Sequence, residues 1–198
     1  MLSRADLLRR GVGGGATLMA SAAGVSALSR PAAAAGVPDS DLAYLRLLVA
    51  AELLKTDFQT QALRSRKLAS ASASLTRQMH ADDTAHYRGL AALVKAAGQP
   101  PTRAGDIDFS YPKRTFRSQG SILKLAWKLG TLTLGAYLGA VTNVQTPGLR
   151  QPLGQIAANE AQQLSALALQ LRRPVIGGAF AAAVPIDVVS SALDEYES

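Results

Sequence analysis

The stretch Met79-His80-Ala81-Asp82-Asp83-Thr84-Ala85-His86-Tyr87-Arg88-Gly89-Leu90 decides the architecture, because Met79, Asp83, His86 and Leu90 follow one another at steps of four, three and four. Steps of three and four keep side chains on one face of a helix, here a face bounded by apolar residues and therefore turned to a core. Ile156, Glu160, Gln163 and Leu167 repeat the pattern 77 residues later. The chain thus uses one helix-pair plan twice. Glu52, seven residues after Leu45 and three after Val49, points inward from an earlier helix. Three carboxylates, an imidazole and an amide are expected at one height of the core. Each unpaired ion there costs on the order of several kcal/mol. A cation, shared protons or hydrogen bonds must offset that cost.

Working outward, the pattern predicts four long helices and a short fifth. Asp39-Ser40-Asp41 is expected to cap a helix running to about Leu63, with Leu42, Leu45, Leu48 and Val49 on its inner face. A second covers Ser70 to Ala97 and stops at Gly98, with Pro100-Pro101 beyond it. A long connection from Gln99 to about Arg117 leads to a third helix, Ser118 to Asn143, striped by Ile122, Leu125, Leu129 and Leu132. Pro147-Gly148 reads as a tight turn into the fourth, which ends near Arg173-Pro174, and Asp187 as the cap of a last helix to Tyr196. Two helix pairs joined by one long crossover make an all-α, four-helix bundle.

Residues 1–35 read as an address. Arg4, Arg9 and Arg10 precede a weakly apolar run rich in Gly, Ala and Ser, and Ala33-Ala34-Ala35 offers a small-residue cleavage site before Gly36. The Arg9-Arg10 pair is similar to a twin-arginine signal, so the mature domain is expected to span 36–198 and to be exported to the periplasm, envelope or medium. The run is too mildly apolar for a membrane span, so no transmembrane segment is expected after cleavage. Of the net charge of +7, only +4 stays with the mature part. That modest excess, without a nucleic-acid motif, argues against nucleic acid as a partner. The 198 residues contain no cysteine, which excludes disulfide scaffolds, zinc-thiolate sites and thiol enzymes.

Carboxylate-x-x-His on an inward helix face, answered on a partner helix, resembles the ligand plan of ferritin-like proteins, in which four helices supply two isolated Glu and two Glu-x-x-His pairs to two metal ions. Ala51-Glu52-Leu53-Leu54 through Phe58, Asp82 through His86, Gly135 through Ala140, Ile156 through Gln163 and Val184-Pro185-Ile186-Asp187 resemble the exported bacterial ferritin-like proteins related to desiccation-associated proteins. The resemblance implies a ferritin-like bundle and the metal ligands Glu52, Asp83, His86 and Glu160. It also exposes losses. The second His is Gln163, and from Phe109 to Asn159 the chain has no Asp or Glu, so the third helix cannot supply its carboxylate. Di-metal oxidase chemistry needs those ligands.

The expectation is therefore a non-catalytic structural, stress-related or interaction protein, with no catalytic residue. Its metal-free core would have His86 hydrogen-bonded to Glu160 and Asp83 while Gln163 satisfies leftover acceptors. The alternative is a mononuclear Fe or Mn protein using the four remaining ligands. In the metal-free case, Glu160→Gln should stabilise. His80 and Asp82 are expected on a solvated face, Lys113, Arg114, Arg117, Lys124 and Lys128 on an exposed basic one, and Trp127 and Tyr137 in packing. A protein or envelope partner and association with copies of the same chain both remain open.

Overall fold

The computed structural model describes residues 37–198; the expected signal lies outside them. The described residues form α1 (Asp39–Arg64), α2 (Ser70–Ala96), α3 (Gln119–Asn143), α4 (Pro147–Gln170) and α5 (Ile186–Asp194), with a single 3-10 turn at Thr115–Arg117 before α3. Helix α1 packs along α2 and α3 along α4, and the pairs meet mainly through α1 and α3. Among the described residues there is no strand, only an isolated bridge between Phe109 and Glu197. No described helix is long and apolar enough to cross a membrane. The four-helix bundle, crossover and fifth helix agree with the sequence pattern.

Helix ends explain the topology. Gly98, with φ of 78°, ends α2, and Gln99 N–H reaches back to the Val94 carbonyl at 3.2 Å. Ser118 and Ser121 form a reciprocal capping box at the start of α3. The starts of α2 and α3 share one end of the bundle, where Ala69 N–H donates to Gln119 Oε1. The crossover must therefore run the bundle's full length. An aromatic cluster anchors it: Tyr111 lies 5.6 Å from Phe58 and 5.4 Å from Phe116, ring centre to ring centre. The Tyr111 hydroxyl donates to Asp57 Oδ2 at 2.8 Å. At the opposite end from Ala69, Arg46 donates to Gln99 Oε1, tying the start of α1 to the end of α2.

Three local expectations are corrected. Asp39-Ser40-Asp41 does not cap α1, whose N-cap is Pro38. Asp41 turns inward instead, fully buried, and accepts the N–H groups of Gln145 and Thr146 at 2.9 and 2.8 Å. It thereby satisfies backbone donors of the turn that leads into α4. Asp187 does not cap α5, whose N-cap is Pro185. Pro147-Gly148 is the first turn of α4 rather than a turn before it, since proline at the first helical position loses no hydrogen bond.

A strap before α5 crosses α3 where Gly135 and Gly139 leave no side chain in the way. Val184 N–H donates to Gly135 O at 2.9 Å. A Cβ at Gly139 would collide with the Val184 backbone oxygen, and one at Gly135 with the Val184 side chain. Gly139→Ala is expected to destabilise the fold by about 1–3 kcal/mol through overpacking. Urea denaturation should show it, and no loss would mean the strap is readily displaced.

Candidate metal centre

The inner seam of α1 reads Leu45, Leu48, Glu52, Lys55, Gln59, Ala62, all buried. Its steps of three and four carry an apolar layer, a polar layer and an apolar layer in turn. Helix α2 brings Asp83 and His86 to the polar layer, α4 brings Glu160 and Gln163, and α3 brings Tyr137. Glu52, Asp83 and Glu160 are 0% exposed. One atom from each of Glu52, Asp83, His86 and Glu160 lies within 4.8 Å of the others. The four sequence-predicted ligands therefore meet at one point.

At the middle sits a group absent from the sequence expectations. Lys55 Nζ is 2.6 Å from both oxygens of Glu160, 3.0 Å from Asp83 Oδ1 and 3.8 Å from Glu52 Oε2. The signal was available, because Lys55 follows Glu52 by three and Gln59 follows it by seven on the same inward seam. A search for metal-ligating residue types passes over an ammonium and an amide.

Every carboxylate is held by a side-chain donor. The Tyr137 hydroxyl donates to Glu52 Oε1 at 2.5 Å, Gln59 Nε2 to Asp83 Oδ2 at 2.6 Å and Gln163 Nε2 to Asp83 Oδ1 at 2.8 Å. Gln163 thus satisfies a buried acceptor, as expected, and Tyr137 adds a hydrogen bond to its packing role. His86 departs from expectation. Its Nδ1 stands 3.4 Å from Glu160 Oε1 and 3.6 Å from both Glu52 Oε1 and Asp83 Oδ1. These separations exceed a charge-assisted hydrogen bond, which spans about 2.7–2.9 Å. The buried Nδ1 and Glu52 Oε2 have no hydrogen-bond partner.

Electrostatics follow from this crowding. Burial pulls the Lys55 ammonium down, but Glu160, Glu52 and Asp83 together overcome it and hold Lys55 charged. Burial, with Glu52 and Glu160 nearby, raises Asp83 to about 7 against the pull of Lys55. Glu160 is desolvated too, yet Lys55 and His86 bring it below the usual carboxylate range. Burial lowers His86, while contacts with Glu160 and Glu52 raise it to about 10. Desolvation first, then Glu52, pushes the Tyr137 hydroxyl well up, so it stays a donor.

The remaining candidates lie elsewhere. His80 is half-buried on the outer side of the α1–α2 pair, with Nε2 3.2 Å from Thr60 Oγ1, and Asp82 accepts from Gln78. Lys113, Arg114, Arg117, Lys124 and Lys128 are exposed. Lys128 pairs with Glu195 at 3.2 Å and lies 5.5 Å from the centre of the Tyr196 ring. Trp127 packs beside Met79, Leu123 and Leu167 and carries Arg173 over its ring at 5.1 Å.

Four long helices, three of them bearing an inward carboxylate in one buried polar layer, define a helical-bundle protein of the carboxylate-centred type. A family model for the ferritin-like domain matches residues 40–173, most of the chain, and the protein belongs to that family. No curated protein matches the sequence significantly.

The expected effect of Glu160→Gln reverses once Lys55 is seen, because the change removes the anion that both holds and is held by the ammonium. Destabilisation of about 3–5 kcal/mol, the usual cost of breaking a buried pair, is expected in chelator. Chemical denaturation at neutral pH measures it, and a gain in stability would show that Lys55 has another partner. For pH, His86 and Asp83 both have folded-state pKa values above their unfolded ones. Each therefore contributes stability at low pH that fades as pH rises, for Asp83 between its usual 3.8 and about 7, for His86 between 6.5 and about 10. The cation-free protein should lose melting temperature from pH 7 to 10, and His86→Gln should flatten that decline.

Proposed function

We propose that this chain is an exported ferritin-like bundle that binds one divalent ion through Glu52, Asp83, His86 and Glu160 and carries no di-metal oxidase activity. One observation carries the reading: the unpartnered, buried Nδ1 of His86 faces one oxygen from each of three carboxylates at 3.4–3.6 Å. These four groups are the donors that would hold such an ion, and the separations of Nδ1 from the carboxylates exceed a charge-assisted hydrogen bond. Three oxygen donors and one imidazole suit Mn or Fe better than Zn.

A bound ion would supply Lewis acidity and a tie between α1, α2 and α4. The chain's own residues do the rest. Tyr137 and Gln163 donate to the Glu52 and Asp83 oxygens that face His86, and Gln59 to the other Asp83 oxygen, so these side chains orient the carboxylates as outer-shell partners do in metal sites. The His86 side chain is 12% exposed against 0–4% for the carboxylates and Lys55. Two-metal chemistry lacks support because α3 has no Asp or Glu and meets the polar layer with Tyr137. Export rests on Arg9-Arg10 and the small-residue site at Ala33–Ala35, and a stress-related role rests on the resemblance to desiccation-associated proteins.

A metal-free reading is favoured by a separate observation: Lys55 Nζ, 2.6–3.8 Å from oxygens of all three carboxylates, already supplies a positive charge to the acids. Elemental analysis of the mature protein, purified without chelator, separates the two. About one equivalent of Mn or Fe, lost in His86→Ala and accompanied by a rise in melting temperature on re-addition, supports the one-ion site. Less than about a tenth of an equivalent, with no stabilisation by added Mn²⁺, Fe²⁺ or Zn²⁺, leaves the metal-free bundle.

A further inference from the structure

We propose that Lys55 is a resident cation that takes the place of the second ion in a two-ion carboxylate centre and limits the site to one. The inference rests on the one-ion reading above. Glu160 Oε1 and Asp83 Oδ1, which face His86 Nδ1 at 3.4 and 3.6 Å, are also the oxygens that Lys55 Nζ holds at 2.6 and 3.0 Å. The ammonium and an ion held by His86 would therefore share these two carboxylates.

Charge counting explains why the lysine and the acid-free third helix belong together. A bundle centre with four carboxylates carries four negative charges and balances two divalent ions. This centre has three carboxylates, Glu52, Asp83 and Glu160, so loss of the α3 carboxylate removes one negative charge. The Lys55 ammonium cancels another. The two changes together subtract two charges, the charge of one divalent ion, and leave a net two negative charges for a single ion with a neutral imidazole. Either change alone would leave an odd charge in a layer whose carboxylates are 0% exposed, where an unmatched ion is costly. The aliphatic stem of Lys55 rises from the same helix as Glu52, one turn away, so the substitution needs no change of backbone.

The test counts Mn²⁺ bound to the full mature domain by calorimetry and by electron paramagnetic resonance. It compares wild type with Lys55→Met, which keeps length and loses charge, and Lys55→Glu, which restores a fourth carboxylate. Expected counts are one for wild type and two for Lys55→Glu, with a spin-coupled pair signal. Lys55→Met should gain more melting temperature from Mn²⁺ than wild type does. Wild type binding none while either variant binds an ion would sink the one-ion reading yet support Lys55 as the resident cation. Unchanged counts and no extra stabilisation in both variants would overturn the proposal. If the variants are unfolded in chelator, recovery of helical circular dichroism on adding Mn²⁺ supports it, and failure to recover overturns it.

Discussion

The contact between the Lys55 ammonium and the Glu160 carboxylate, 2.6 Å to each oxygen and sealed from solvent, is the constraint on which the rest of this bundle depends. It joins α1 to α4 directly across the core. Without it, three carboxylates would share a buried layer with no fixed counter-charge, and the helices would separate or the acids take up protons. With it, the layer has a fixed positive charge at all ordinary pH values. A buried ion pair is seldom a large net source of stability compared with an apolar core. Its value here is in register, because an α1 shifted by one turn would leave both an ammonium and a carboxylate stranded.

The apolar layers on either side do the bulk of the folding. Leu45, Leu48, Leu90 and Leu153 form the larger core cluster with Ile156 and Tyr137, and Met79, Leu123 and Leu167 close the other side. The polar layer inherits its precision from this packing. Its carboxylates have little freedom, since Tyr137, Gln59 and Gln163 each donate to one of them.

Much of the fold was legible before any coordinates. Leu, Ala and Val at steps of three and four, a glycine stop at Gly98 and the long connection from Gln99 to Arg117 gave the helices and their order. Errors fell at helix starts, where Asp41 and Asp187 both looked like caps. An N-cap is a local interaction, and local rules could not tell that Asp41 would be used by the backbone at Gln145 and Thr146, more than a hundred residues away. The strap over Gly135 and Gly139 was likewise invisible, because a small residue in a helix announces room without naming what fills it.

By itself, the sequence determined the helical pattern, the inward placement of Glu52, Asp83, His86 and Glu160, and the absence of a carboxylate on the third helix, since each follows from spacing along one chain. Only the tertiary structure decided what neutralises those acids. Lys55 lay on the same seam as Glu52 throughout, but a lysine can extend its head to water from almost any edge of a core. Four packed helices closed that escape. The ammonium was left among the carboxylates of three different segments, where charge balance in a buried layer holds it.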